Sequence, residues 1–153
     1  LQRLARAGRQ GVTMAVAESL TSGLLAAKVG AGDHASSWFA GGVVAYLTRV
    51  KEDLLGVTPG TDPCSAACAV QLASGARRLF AVDVAVAATG VGGPGPQDGH
   101  PPGTVYLGWA SASGTGHLRL RLGGDPDSVV QQTVRAALEL LADRATEQRL
   151  DTP

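Results

Sequence analysis

TMAVAESLTSGLLAAKV, residues 13–29, is the stretch whose reading decides the fold. Residues 13–17 form a short apolar run that reads as a buried strand. Residues 18–23 are polar and small. Residues 24–29 return to apolar character at helical spacing. Strand, tight loop and helix in succession make the repeating unit of α/β domains.

The neighbouring segments extend the pattern. Leu1, Leu4 and Ala5 fall on one helix face, closed by Gly8 and Gly11. After a loop at 30–37, residues 42–46 (GVVAY) read as a second strand, and 48–55 as a short helix ended by Gly56. A turn over 58–63 leads to Ser65, the expected N-cap of a helix to about Phe80, with Val70, Ala73, Ala76 and Arg77 at helical spacing. Residues 83–88 (DVAVAA) read as a third strand and 89–103 as a long Gly/Pro loop. Residues 104–110 and 118–122 read as a hairpin turning at 113–116. Pro126 or Asp127 opens a last helix with Val129, Val130, Val134, Leu138 and Leu141 inward. The polar end after Ala145 is expected to fray. The sum predicts a three-layer α/β/α domain with a mixed, mostly parallel sheet of about five strands. The domain is placed at 1–147 and a polar tail at 148–153.

Composition narrows the function. A chain of 153 residues fits one domain and can bury a core without disulfides. Lys plus Arg and Asp plus Glu are both 13, so no basic surface for nucleic acid is expected. Aromatics at 4% argue against a base-stacking platform. No apolar run approaches the roughly 20 residues that span a bilayer, so no membrane partner is expected. Cys64 and Cys68 are the only cysteines and lack His or Cys partners for a metal site. They read as small core residues, and no metal or cofactor is expected. Without a disulfide framework, a reducing cytoplasmic setting is expected. Residues 1–11 are Arg-rich and carry no signal-peptide core. The opening Leu1 is expected of a trimmed chain or a piece of a longer one.

Three segments carry chemistry, each after a strand, where open α/β sheets bind ligands. The first is 17–23, AESLTSG. Its Ser19, Thr21 and Ser22 either cap the following helix or hold a phosphate. Alternatively Ser19 is a nucleophile, and unpaired N–H groups at 21–23 are its oxyanion hole. The second is 46–51, YLTRVK. Here Tyr46 packs and Lys51 is solvated, or Lys51 is partly buried, where burial favours the free amine that accepts a proton. The third is 89–96, TGVGGPGP. No Gly-Lys-Ser/Thr follows and no helix opens after it, so it is neither a Walker loop nor a dinucleotide fingerprint. It reads as a shaped binding loop.

Together these segments resemble the CinA C-terminal domain family. Its Ala-Glu-Ser-x-Thr-Gly-Gly pattern is met by residues 17–23. Gly-Gly-Val-Val-x-Tyr with a lysine five residues on is met by 41–46 and Lys51. Leu54-Leu55-Gly56-Val57, Gly75-Ala76-Arg77, the 89–94 loop and Gly103-Thr104-Val105-Tyr106 follow in order. The resemblance implies a three-layer fold with a mixed sheet. It also implies hydrolysis of the carboxamide of nicotinamide mononucleotide to nicotinic acid mononucleotide and ammonia. The nucleophile, tyrosine and lysine of the family fall on Ser19, Tyr46 and Lys51. Substrate contacts are expected at Glu18, Thr21, Ser22, Gly23, Gly42, Thr48, Thr89, Gly90, Gly92, Gly93 and Thr104. The expected partner is a small pyridine nucleotide, with a homo-oligomer in view. The chain departs from the pattern at Ser22 and Leu47. It departs again at Pro126 and near Val130, where the family carries arginines. The alternative reading is a catalytically weakened nucleotide-binding or regulatory module of the same fold.

Overall fold

The structure, a computed structural model, describes residues 1–150. Helix α1 (Gln2–Arg9) precedes β1 (Met14–Glu18) and α2 (Leu24–Gly30). A single 3-10 turn then leads to β2 (Phe39–Val44), α3 (Thr48–Leu55), α4 (Ala66–Phe80) and β3 (Val84–Gly90). The hairpin β4 (Thr104–Ser111) and β5 (Gly114–Arg121) is followed by α5 (Pro126–Leu150). The five strands form one sheet in the order β2-β1-β3-β4-β5. β1 runs parallel to both β2 and β3, while β3–β4 and β4–β5 are antiparallel, so parallel and antiparallel junctions divide the mixed sheet evenly.

The alternation of side chains along the central strands sorts the two helical layers. Met14, Val16, Val84 and Val86 point into one core with α1, α2 and α5. Ala15, Ala17, Ala85 and Ala87 point into the other, beneath Leu55 of α3 and Leu72, Ala73 and Ala76 of α4. Small residues on this second face let α4 lie close. A Cβ on Gly108 would stand 2.1 Å from the Ala69 carbonyl oxygen. Both central strands are buried along their length, which is why they read as continuous apolar runs. The chain leaves β1 toward one face and β2 toward the other. That reversal opens a crevice at the strand carboxyl ends.

Several boundaries differ from expectation, each for a packing reason. β2 starts at Phe39 rather than 42, because Met14 pairs with Phe39 across a register shift. It stops at Val44, which leaves Tyr46 beyond the strand. The hairpin turns at Ala112–Ser113, so Gly114, Thr115 and Gly116 belong to β5. Gly116 faces Trp109 across the ladder, and a Cβ there would stand 2.5 Å from the indole nitrogen. The glycine makes room for the ring instead of making the turn. The end expected to fray after Ala145 is helical to Leu150. The rest of the expected tail, 151–153, lies outside the described residues. Ser65 caps α4 as expected, accepting the Cys68 N–H at 3.1 Å.

Candidate active site

A cleft of about 650 Å³ opens at the carboxyl ends of β1, β2 and β3. Ser19 enters it directly after β1, Tyr46 and Thr48 after β2, Lys51 from α3, and Thr89 and Gly90 from the end of β3. Gly92 and Gly93 form part of the opposite rim. Three segments far apart in sequence therefore meet in one place.

The loop after β1 is organised by Glu18. This last residue of β1 is 1% exposed. One carboxylate oxygen accepts the Thr21 hydroxyl at 2.6 Å and the Gly23 and Leu25 N–H groups at 3.2 and 2.9 Å. The other oxygen accepts the Ala26 N–H at 3.0 Å. The unpaired N–H groups of a helix N-terminus carry partial positive charge, and here a buried carboxylate satisfies them. The capping role considered for Ser19, Thr21 and Ser22 thus falls to Glu18. Two of the N–H groups expected for an oxyanion hole are already used. Gly23 donates to Glu18, and Ser22 donates to the Ser19 carbonyl. The Ser19 N–H donates to the Ala88 carbonyl. The Ser19 side chain is buried, lines the cleft, and makes no hydrogen bond among the described residues.

Lys51 is only 4% exposed and has no acidic partner among the described residues. Its ammonium lies near the Cys68 thiol, which burial pushes up and Lys51 draws down. Tyr46 is mostly exposed, and its hydroxyl meets the Ser22 hydroxyl at 2.7 Å. Ser22 itself has φ +54, a left-handed backbone rather than an ordinary helical one. The residue is thus both strained and tied to the tyrosine.

The far rim is the 91–103 loop. Val91 N–H donates to the Thr104 carbonyl, and Gly103 N–H donates back to Val91. Gln97 and His100 exchange backbone hydrogen bonds around Asp98 and Gly99, both with positive φ, which makes a tight Asp-Gly hairpin turn. His100 Nε2 lies 2.7 Å from Asp62 Oδ2, and this pins the hairpin to the segment before α4. Burial alone would raise the Asp62 carboxyl, but the His100 contact and the Cys64 N–H hold it below its usual 3.8. The Thr89 hydroxyl donates to the Pro63 carbonyl at 2.6 Å. Cys64 also lines the cleft, with its thiol aimed at the Thr104 carbonyl and pushed by burial and by Asp62 up to about 11.

Of the residues expected to touch substrate, Thr48, Thr89, Gly90, Gly92 and Gly93 line the cleft. Glu18, Thr21 and Gly23 lie in the cap network behind it, and Ser22 supports Tyr46. Gly42 packs in β2, where a Cβ would stand 2.8 Å from Val16. Thr104 is buried and offers its carbonyl to Val91 and Cys64. The sequence reading missed Leu20, Pro63, Cys64, Gln97 and Asp98 as lining residues, and singled out Pro126 and Val130 only as departures from the family pattern. Only Asp98 had a local signal, its Asp-Gly turn. The others arrive through tertiary packing.

Fold and cleft together define a class: a three-layer α/β domain with a serine, a tyrosine and a lysine gathered at the strand carboxyl ends. The CinA C-terminal domain profile matches residues 2–145, and the chain belongs to that family. It is 39% identical over 137 residues to a CinA-like protein of Frankia casuarinae, covering 87% of this chain and 32% of that protein. It is 38% identical over 140 residues to a CinA-like protein of Geobacter sulfurreducens, covering 88% and 34%. The chain thus spans about a third of the length of these curated relatives. The crystal structure of a CinA superfamily protein from Klebsiella pneumoniae superposes with a TM-score of 0.88 at 33% identity, covering 95% of this chain and 94% of that one. A competence/damage inducible protein from Agrobacterium tumefaciens gives 0.88 at 31%, covering 94% and 91%. Among the described residues, no helix is long and apolar enough to cross a membrane.

Proposed function

We propose that the chain is a serine amidase that hydrolyses the carboxamide of nicotinamide mononucleotide to nicotinic acid mononucleotide and ammonia. One observation carries the reading. Ser19 and Lys51 are both buried, both line one cleft, and neither side chain is engaged by a hydrogen bond or ion pair among the described residues. Their polar groups are left available to a substrate in the cleft.

In this mechanism Lys51, as its free amine, takes the proton from Ser19 Oγ as the oxygen attacks the amide carbon. Lys51 returns that proton to the departing nitrogen, and ammonia leaves. Water then attacks the acyl ester, regenerating Ser19 and releasing the acid. Tyr46, held by Ser22, orders the proton path. With Ser22 and Gly23 N–H groups consumed, the Leu20, Gly92 and Gly93 N–H groups are the oxyanion donors we assign, since these residues line the cleft. Ammonia release from nicotinamide mononucleotide tests the reading. Ser19→Ala is expected to lower turnover at least about a thousandfold while the fold, read by circular dichroism, stays intact. A folded Ser19→Ala chain with near-normal turnover would remove Ser19 as nucleophile. A module that binds without hydrolysis is the second reading, favoured by the apolar Pro126 and Val130 in the cleft wall. Binding of the nucleotide with no ammonia release would select it.

A further inference from the structure

Three helices begin at or beside the cleft, and two of their N-termini are closed by the chain itself. Glu18 accepts the Gly23, Leu25 and Ala26 N–H groups at the start of α2. Asp125 accepts the Ser128 N–H at the start of α5. The N-terminus of α3 is open. Its N-cap is Leu47, whose side chain cannot accept a hydrogen bond, and no acidic residue stands in its first turn. The Val50 and Lys51 N–H groups reach the Leu47 carbonyl. Those of Thr48 and Arg49 have no partner among the described residues, and neither has the Thr48 hydroxyl. Thr48 lines the cleft. Arg49 is exposed and enters no ion pair among the described residues.

An open helix end by itself is only a solvated end. Here a second feature points to a ligand. Lys51, further along the same first turn, is 4% exposed, lines the cleft, and makes no hydrogen bond or ion pair among the described residues. Residues three apart share a helix face, and their side chains lean toward the N-terminus, so Lys51 and Thr48 stand on one face. The turn gathers two free backbone donors, a free hydroxyl and the positive end of the helix dipole, beside a buried amine. That is the donor set of an anion site. The opposite wall has less to give. In the 91–96 stretch Pro94 and Pro96 have no N–H, and Val91 donates to Thr104. Pro126 and Val130 of α5 are apolar.

We propose that the first turn of α3, through the Thr48 and Arg49 N–H groups and the Thr48 hydroxyl, is the phosphate subsite of the cleft, holding a phosphate monoester while the amide lies at Ser19. The proposal rests on the amidase reading for the compound that carries the phosphate, whereas the subsite itself needs only the anion. In the proposed mechanism Lys51 serves Ser19, so the phosphate takes the backbone and hydroxyl donors. The exposed Arg49 adds a full positive charge to the same turn. A substrate held at its phosphate presents the amide carbon to Ser19 in one pose, and binding energy from the remote group goes into orientation. A compound without the phosphate loses that anchor.

The test compares kcat/KM for ammonia release from nicotinamide mononucleotide and from nicotinamide riboside. The wild type is expected to use the nucleotide at least about tenfold better. Leu47→Asp should close the subsite. Leu47 is 59% exposed and extended (φ −69, ψ 135), the backbone of an N-cap. The introduced carboxylate takes the N–H groups that the phosphate needs and repels the phosphate. This variant should melt at a higher temperature than the wild type, yet lose about tenfold or more in kcat/KM for the nucleotide and almost none for the riboside. Thr48→Pro deletes one donor at a position where a helix tolerates proline, and Leu47 already has the backbone that precedes one. It should lower the nucleotide-to-riboside ratio about threefold or more. Riboside used as well as the nucleotide by the wild type, or a ratio unmoved in both folded variants, overturns the proposal. If neither compound releases ammonia, the amidase reading falls, and calorimetric binding to the wild type and Leu47→Asp chains decides the subsite separately. Nucleotide bound at least about tenfold more tightly than riboside, with that margin lost in Leu47→Asp, sustains the subsite. Equal binding of the two compounds, binding of neither, or a margin that survives Leu47→Asp overturns it.

Discussion

The two rims of the cleft are built on opposite principles. On the β1 side, residues 18–26 are closed by hydrogen bonds to one buried carboxylate, and the Ser22, Gly23 and Leu24 N–H groups all have partners inside the protein. On the far side, residues 91–103 are held at their ends by Val91, Thr104 and Gly103. Across the middle they are held by a partly exposed pair, Asp62 and His100. In the proposed amidase, the first rim gives Ser19 a fixed position. The second offers the Gly92 and Gly93 backbone and an exposed turn at Asp98 and Gly99. In that reading catalysis needs the rigid element and selection uses the adjustable one, since a group misplaced by about an ångström can cost a hundredfold in rate.

After the loss of Ser19, the largest effect is expected at Lys51, which lines the cleft between the rims. Lys51→Arg keeps the positive charge but cannot give up its proton at usable pH. Its kcat/KM should fall about a hundredfold or more, nearly as far as that of Lys51→Ala. An arginine variant close to wild type would leave Lys51 a purely electrostatic role and detach it from the rigid rim's chemistry.

Removing the keystone of the rigid rim should be felt as stability. Glu18→Ala strips the acceptor from the Gly23, Leu25 and Ala26 N–H groups and the Thr21 hydroxyl. A loss of about 3 kcal/mol or more in urea unfolding is expected, from several buried donors left unpaired. Glu18→Gln should lose less, because one oxygen survives while its amide N–H₂ faces the Ala26 N–H. Equal, small losses in both variants would show that the rim is held by something else.

The adjustable rim should respond mildly and to pH. Asp62 and His100 are partly exposed, so breaking the pair with Asp62→Asn should cost under about 1 kcal/mol. We expect KM to rise severalfold with kcat little changed. The Asp62 carboxyl is held below its ordinary 3.8, so its contribution is fully present above that value. The contribution is lost as the pH falls through the lower folded value. Melting temperature followed below pH 4 should therefore drop more steeply for the wild type than for Asp62→Asn. Parallel curves would show that the pair does not hold the 91–103 loop.

The smallest effect is expected at Ser22, which joins strain to contact. Ser22→Gly relieves a left-handed backbone at φ +54 and frees the Tyr46 hydroxyl. A net gain of about 0.5–1 kcal/mol in stability is expected, after the extra chain entropy of glycine. That corresponds to roughly 1–4 °C in melting temperature. Turnover should fall severalfold as Tyr46 loses its partner. A rise in turnover would mean that the side chain obstructs the cleft instead of ordering it.

Local pattern made much of this legible in advance. Residues 13–17 and 83–88 announced central strands because a strand covered on both faces must be apolar throughout. Ser65 announced α4 because a hydroxyl before a helix has orphan N–H groups to satisfy. Such signals act between neighbours in the chain. The hairpin turn was misplaced because Gly114 and Gly116 resemble turn residues, while the demand on Gly116 comes from Trp109 on another strand.

By itself, the order of apolar runs, loops and caps determined the α/β class and put Ser19, Tyr46 and Lys51 after strands. Only the tertiary structure decided that Glu18 rather than Ser19 caps α2. It also decided that two of the expected oxyanion donors, the Ser22 and Gly23 N–H groups, are spent and that Pro126 and Val130 of the last helix form a wall of the cleft. The reason is physical. Propensity and capping are settled within a few residues. Which donors remain free, and which distant side chains share a cavity, is settled only when sheet register and helix packing bring them together.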